Sequence, residues 1–241
     1  QSAISDYSKA IEFRDHLFPK DASEIEVLLI RRKRGDIYLQ IGDYENAIND
    51  FSAILDTDSI FYSDPETYEN RGVAFNFIGE EQKAEDDFAH ASDIYLQIGI
   101  NLAEEDAYDQ ALEYFDKAIM LTPNNAEVYL VRATVHLEKM EIEHIKDNSD
   151  HKIVAAEMKL AFDDAEMAIQ LDPEYAEAYF VSGTIGLWIF RNFDILVASG
   201  NGTLEDDFLK VLELSNDPEL RKDAQNGIDE FWILVNQRHP Q

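Results

Sequence analysis

One pattern returns along the chain and restricts its fold more than anything else. An aromatic residue is followed by Gly or Ala four residues on and an apolar residue three later. Then come Ala nine residues on, Phe four further, and a small residue three beyond. It is clearest at Tyr68, Gly72, Phe75, Ala84, Phe88 and Ala91, and again at Tyr95, Gly99, Leu102, Ala111, Phe115 and Ala118, closing with Pro123. Gly35, Tyr38, Ala47, Phe51 and Ile54 form an earlier copy, with Arg31 in the aromatic position. Two later copies are interrupted: Tyr129, Ala133 and His136 with Ala161, Ala165 and Ala168, and Tyr179, Gly183 and Gly186 with Leu204, Phe208 and Val211. A half copy, DYSKAIEF, surrounds Ala10. Spacings of three and four put side chains on one helix face, and the nine-residue gap holds a turn. Each copy is therefore a helical hairpin. A single hairpin cannot bury its own apolar face, so neighbours must stack.

Ten Gly and six Pro residues, lying between helix-like runs, suit an all-α fold. At 45% apolar residues the chain can bury a sizeable core, and its longest apolar run, residues 231–235, is far short of the roughly 18 needed to cross a membrane. Fifty acidic against 20 basic side chains, a net charge of -30, repel nucleic-acid backbones and anionic membranes and favour basic partners. The absence of Cys excludes disulfides, thiolate metal sites and a Cys nucleophile. The sequence opens at Gln1 without an initiator Met, so we expect an upstream portion, either a signal peptide or further protein; the compartment stays open.

The stretches GDYENAINDF and YDQALEYFDKAIMLTPNN, with the small and aromatic positions above, resemble the tetratricopeptide repeat family. The resemblance covers about residues 5–215. It departs from the family in lacking the repeat's Trp, in having Ser59 where Pro is usual, and in its uneven steps. It implies an all-α, right-handed superhelical solenoid of antiparallel hairpins as one domain over 1–241. A partial repeat spans 1–20, repeats span 21–60, 64–91, 92–122, 123–172 and 173–215, and a capping helix spans 217–238. In that helix Leu220, Ala224, Ile228, Phe231 and Val235 form an apolar stripe. Trp232, Ile233 and Leu234 widen it, either by burial against the last hairpin or as a surface for a homo-oligomer.

The heptapeptide DIYLQIG occurs at 36–42 and at 93–99, the two copies seven residues out of register within the repeat. In the first, Tyr38 is the apolar position; in the second, Tyr95 opens the repeat and Gly99 is its small mid-helix residue. This register requires the preceding helix to end near residues 90–93. The rival reading stops the helix at Gly99 and starts another at Asn101, with Glu104 completing a capping box.

Asp64-Pro65, Thr122-Pro123, Asp172-Pro173 and Asp217-Pro218 each place an N-cap residue before a Pro suited to the first helical position, so four helices should start there. Ser23 with Glu26 reads as the capping box of a helix reaching Ile41. Between His136 and Ala161 lies an insertion around residues 138–153. His136, His144 and His151 do not have the i, i+4 spacing of a helical metal pair, so we expect two extended helices joined by a turn at 147–150 and His136 in the core. A second insertion should extend a helix to about Val197, followed by a turn at SGNGT; GxxxxGK[ST] is absent, so this is no phosphate loop.

Three copies carry Arg just before the small residue and Asp just before the second-helix aromatic or small residue: Arg34 with Asp50, Arg71 with Asp87, and Arg132 with Asp164. Where Ile98 replaces the Arg, Tyr114 replaces the Asp. Such co-occurrence suggests structural ion pairs that fix hairpin register.

In arrays of this family the first helices line a concave groove. Counting outward from the packing residues, that face should include Leu29, Arg32, Asp36, Leu39, Val73, Phe77, Leu96, Ile100, Leu130, Thr134, Leu137, Phe180, Thr184, Leu187 and Trp188. A mostly apolar lining with acidic rims suits an amphipathic helix or an extended peptide with flanking Lys or Arg. The family also uses a Lys, Arg and Asn clamp for C-terminal carboxylates. Here those positions read Arg32, Asp36, Asn70, Asp93 and Gln97, and the two aspartates would repel a carboxylate. No Ser, His and Asp set, metal motif or dinucleotide loop is visible, so we expect no catalytic residues, no cofactor and no metal. The expectation is a non-enzymatic scaffold for a protein or peptide. The alternative is a structural spacer or self-associating module whose groove is filled from within.

Overall fold

A computed structural model describes residues 2–17, 24–57, 64–146, 150–193, 195–196, 198–199 and 202–238. Among them the chain runs α1 (Ser2–Leu17), α2 (Glu24–Ile41), α3 (Tyr44–Leu55), α4 (Pro65–Phe77), α5 (Glu81–Glu104), α6 (Tyr108–Leu121), α7 (Ala126–His144), α8 (His151–Leu171) and α9 (Ala176–Phe193). A two-residue antiparallel pair follows, β1 (Ala198–Ser199) with β2 (Gly202–Thr203), then α10 (Leu204–Leu214) and α11 (Pro218–Arg238). The fold is all-α. Packing defines two compact units, one of residues 1–98 with 120–122, the other of residues 99–119 with 123–241.

In the first unit α2 and α3 form a hairpin around Leu28, Ala47, Phe51 and Ile54, with Ala74 of α4 closing the same core. The small residues are needed where rings enter. A Cβ on Gly35 would lie 2.8 Å from Cε1 of Phe51, and one on Gly72 would lie 2.8 Å from Cε1 of Phe88. In the second unit Gly99 receives Phe115 and Gly183 receives Phe208 in the same way. Its core joins Ala133, Ala161, Ala165, Ala168, Tyr179, Phe208 and Val211 to Ala224, Ile228 and Phe231 of α11.

α5 runs unbroken for 24 residues, so neither reading of the second heptapeptide describes the helix correctly. It does not end near residues 90–93, and it does not stop at Gly99. No Gly or Pro interrupts residues 81–98, and the buried stripe Ala84, Ala91 and Tyr95 is continuous. Gly99 is held inside the helix by the Phe115 ring, so there it provides close approach and no stop. The stop comes at Asp106, which takes the left-handed conformation (φ 59), while the Ala107 N–H bonds the Leu102 carbonyl at 2.8 Å. Gly42 (φ 80) and Gly79 (φ 81) end α2 and α4 with the same closure, Asp43 to Tyr38 and Glu80 to Phe75.

Two of the four Pro positions begin helices. Asp64 caps α4 through the Glu66 N–H at 3.3 Å, and Asp217 caps α11 through the Glu219 N–H at 2.8 Å. Pro123 and Pro173 instead fall in turns, and their helices start three residues later, at Ala126 under an Asn125 cap and at Ala176. At the second turn the Tyr175 N–H reaches the Asp172 carbonyl at 3.1 Å, an i to i+3 bond with Pro at its favoured position. α9 ends at Phe193, short of Val197. The strand pair then turns the chain to Thr203, whose capping box with Asp206 starts α10. α2 does reach Ile41, though its Ser23 cap lies outside the described residues, as do positions 147–149 of the first insertion.

Candidate functional site

The repeated Arg and Asp positions meet across their hairpins. Arg34 donates from Nε and Nη2 to Asp50 at 2.7 and 2.6 Å, Arg71 to Asp87 at 2.8 and 2.7 Å, and Arg132 to Asp164 at 2.7 Å twice. All three aspartates are buried. The hydrogen bonds from Asp50 and Asp87 hold the Arg34 and Arg71 guanidinium pKa values above the ordinary arginine range. Each Nη1 reaches further, to Ser8, Ser52 and Asp116 respectively, so every Arg also ties its hairpin to the helix before it. The last hairpin carries a counterpart that the Arg pattern does not reveal. Ser182, just before Gly183, donates to Asp207, just before Phe208, at 2.9 Å. The register was the usable signal; the residue type was not.

Along the first helices, side chains divide into core and surface. Leu96, Leu130 and Leu187 are 3, 7 and 7% exposed. They are core residues and cannot line a docking face, correcting the outward count. Spacing within one repeat does not reveal this, because Leu130 and Leu187 are covered by side chains of other helices in the second unit's core. On the first unit the open face retains Leu29, Arg32, Asp36, Leu39, Val73 and Phe77, with Phe77 65% exposed and stacked on Tyr44. On the second, Ile100, Thr134, Leu137, Phe180, Thr184 and Trp188 are half-buried. Trp188 meets His144 and Phe193 edge-on.

His136 is buried, with Nδ1 2.6 Å from Oε2 of Glu157; Lys139 bridges Glu157 and Asp109, each at 2.8 Å. Burial pushes the Glu157 carboxyl up, and hydrogen bonds from Lys139 and His136 together outweigh it, holding its pKa below the ordinary value. Among the described residues no group of three or more His, Asp or Glu side chains is arranged to hold a metal ion, and no helix is long and apolar enough to cross a membrane.

Hairpins that seat a second-helix Phe against a first-helix Gly carry the repeat's packing signature, and the family model for the tetratricopeptide repeat matches residues 33–59 and 92–125. Those two segments are tetratricopeptide repeats. The second match begins at Ser92, inside α5, so the C-terminal part of that helix is the first helix of the matched repeat. Similar solved structures include the Arabidopsis OM64 TPR domain, 20% identical over 60% of this chain and 98% of that one, with a TM-score of 0.45. The Sgt2 TPR domain from Aspergillus fumigatus is 16% identical over 62% and 83%, with a TM-score of 0.44. YrrB, titled a TPR protein with an unusual peptide-binding site, is 17% identical over 91% and 97%, with a TM-score of 0.43. No curated protein sequence matches the chain.

Of the five positions compared with the clamp, Arg32, Asp36 and Asn70 make contacts within the chain. Arg32 pairs with Asp64 and, at 2.5 Å, with Glu66. Asn70 donates to Asp36 at 3.1 Å. Burial raises the Asp36 pKa, against the opposing pull of Arg32 and the Asn70 hydrogen bond.

Proposed function

We propose that this chain is a non-enzymatic protein-interaction scaffold that holds a peptide or helix of a partner against the first-helix faces of its hairpins. The supporting observation is that aromatic and apolar side chains on those faces keep surface to offer: Phe77 is exposed on the first unit, beside half-buried Val73, and Phe180, Trp188, Leu137 and Ile100 are half-buried on the second. An amphipathic segment supplies the matching apolar anchors, and the acidic surface favours Lys or Arg flanking them. A C-terminal carboxylate suits the first unit poorly. Its one clamp-like cation, Arg32, is already shared between Asp64 and Glu66. The openness of Phe77 favours docking over a purely structural spacer.

The test compares proteins captured by wild type, Phe77→Ala and Trp188→Ala, with helical circular dichroism as the folding control. A partner held on these faces is depleted by one or both substitutions. Identical capture by all three would sink the proposal.

A further inference from the structure

We infer that the stacked Tyr44 and Phe77 rings form a docking platform for an arginine side chain of a partner protein. This rests on the interaction-scaffold reading and gives its first-unit surface a chemical preference. Tyr44 is the first residue of α3 and Phe77 the last of α4. Their rings lie 4.6 Å apart between centroids and 3° from parallel. Tyr44 packs against the core below it, while Phe77, 65% exposed, turns an aromatic face to solvent.

Several other rings carry one of the protein's own cations. Arg34 lies over Tyr38 and Arg71 over Tyr68 and Phe75, each at 5.8 Å, and Arg132 lies over Tyr129 at 5.7 Å. Among the described residues no Lys or Arg lies over Phe77 or Tyr44. The chain around the platform is acidic. Glu45 follows Tyr44, and Glu80 and Glu81 follow the turn after Phe77. Lys83 pairs with Glu80, and among the described residues neither Glu45 nor Glu81 has an ion-pair partner. An electron-rich face within an acidic stretch of chain attracts a cation and repels an anion. A planar, weakly hydrated guanidinium can stack flat on the ring while its N–H groups turn to nearby carboxylates; an ammonium, compact and strongly hydrated, gains less from the ring.

The test titrates the full chain with a blocked hexapeptide of alternating Arg and Gly, followed by the ring resonances of Phe77 and Tyr44. Peptides with citrulline or Lys in place of Arg serve as comparisons. We expect both rings to shift with the Arg peptide. Affinity should fall about two- to fivefold in Phe77→Leu, which keeps apolar bulk without the π face. The citrulline and Lys peptides should bind more weakly than Arg, and Trp188→Ala should bind like wild type. Unmoved rings, equal affinity in Phe77→Leu, or citrulline matching Arg would each overturn the platform. Any of these alongside intact partner depletion in the Trp188→Ala capture removes the platform alone and leaves the scaffold reading standing.

Discussion

Arg71 and Asp87 are joined by two parallel hydrogen bonds, Nε to Oδ2 at 2.8 Å and Nη2 to Oδ1 at 2.7 Å, directly beside the Gly72 and Phe88 packing contact. The pair fixes how the two helices slide against one another, because a planar fork meets a carboxylate in one orientation. Asp87→Ala leaves the guanidinium facing a buried site without its anion and should cost about 2–4 kcal/mol in urea unfolding. Replacing both residues, Arg71→Met with Asp87→Leu, should cost less than the two single changes combined. Additive losses in that double-mutant cycle would mean the residues are not coupled.

Gly99 and Phe115 make a contact too close for any Cβ. Gly99→Ala improves intrinsic helix propensity by about 1 kcal/mol, yet it must displace a fully buried ring, and overpacking of this kind costs about 1–3 kcal/mol. We expect net destabilisation, relieved in part when Phe115→Leu is added. Amide hydrogen exchange should show slow, continuous protection from Ala91 through Leu102; fast exchange at 90–93 would restore the broken-helix reading.

The hairpins and their ion pairs were legible because they depend on local spacing: Gly72 and Phe88, or Arg71 and Asp87, can be read as offsets in one repeat. The join at α5 was not. Its continuity follows from an absence of helix breakers and from a ring on another helix, while the family's usual turn suggested a stop. Pro123 and Pro173 misled for a related reason. Pro suits both the first position of a helix and the second of a turn, and the following three residues decide between them. Among the candidate groove residues, Phe77 lies on an open face while Leu96, Leu130 and Leu187 are closed, because exposure depends on neighbours from other hairpins.

Asp106 holds a left-handed backbone (φ 59) at the position where Gly42 and Gly79 end α2 and α4. A side chain there costs roughly 1 kcal/mol relative to Gly. Asp106 gives back only an exposed hydrogen bond from the Tyr108 hydroxyl at 2.9 Å. Asp106→Gly should therefore raise the thermal midpoint by a few degrees. A fall would show that the carboxylate contributes more to the turn than the backbone loses.

Glu157 accepts from both Lys139 and His136 in a half-buried setting, and its folded pKa is depressed from the ordinary 4.5. A depressed acid contributes stability above its unfolded pKa and loses it as pH falls through the folded value. Glu157→Gln should thus cost roughly 1–3 kcal/mol at neutral pH, the scale of hydrogen bonds to a charged group. The gap to wild type should narrow below pH 4.5 as the wild-type carboxyl takes up its proton. A gap that stays constant with pH would assign the loss to packing and not to charge.

α11 closes the second unit. Ala224, Ile228 and Phe231 complete its core, Phe208 fills the space at Gly227, and Arg238 donates to the Phe190 and Arg191 carbonyls at 2.7 and 2.6 Å, capping the end of α9. A terminal repeat left uncovered exposes the face that a further hairpin would bury. Deleting residues 217–241 should therefore raise binding of an apolar dye and lower solubility. The single change Arg238→Ala should cost only about 1–3 kcal/mol, through the carbonyls it leaves without a charged donor. Because Trp232 and Ile233 are exposed in the intact helix, substituting Ile233→Asp offers a separate check on self-association. If α11 serves only as a cap, the sedimentation profile of that variant will match wild type, whereas a shift from a larger species to monomer would make the same helix an assembly surface.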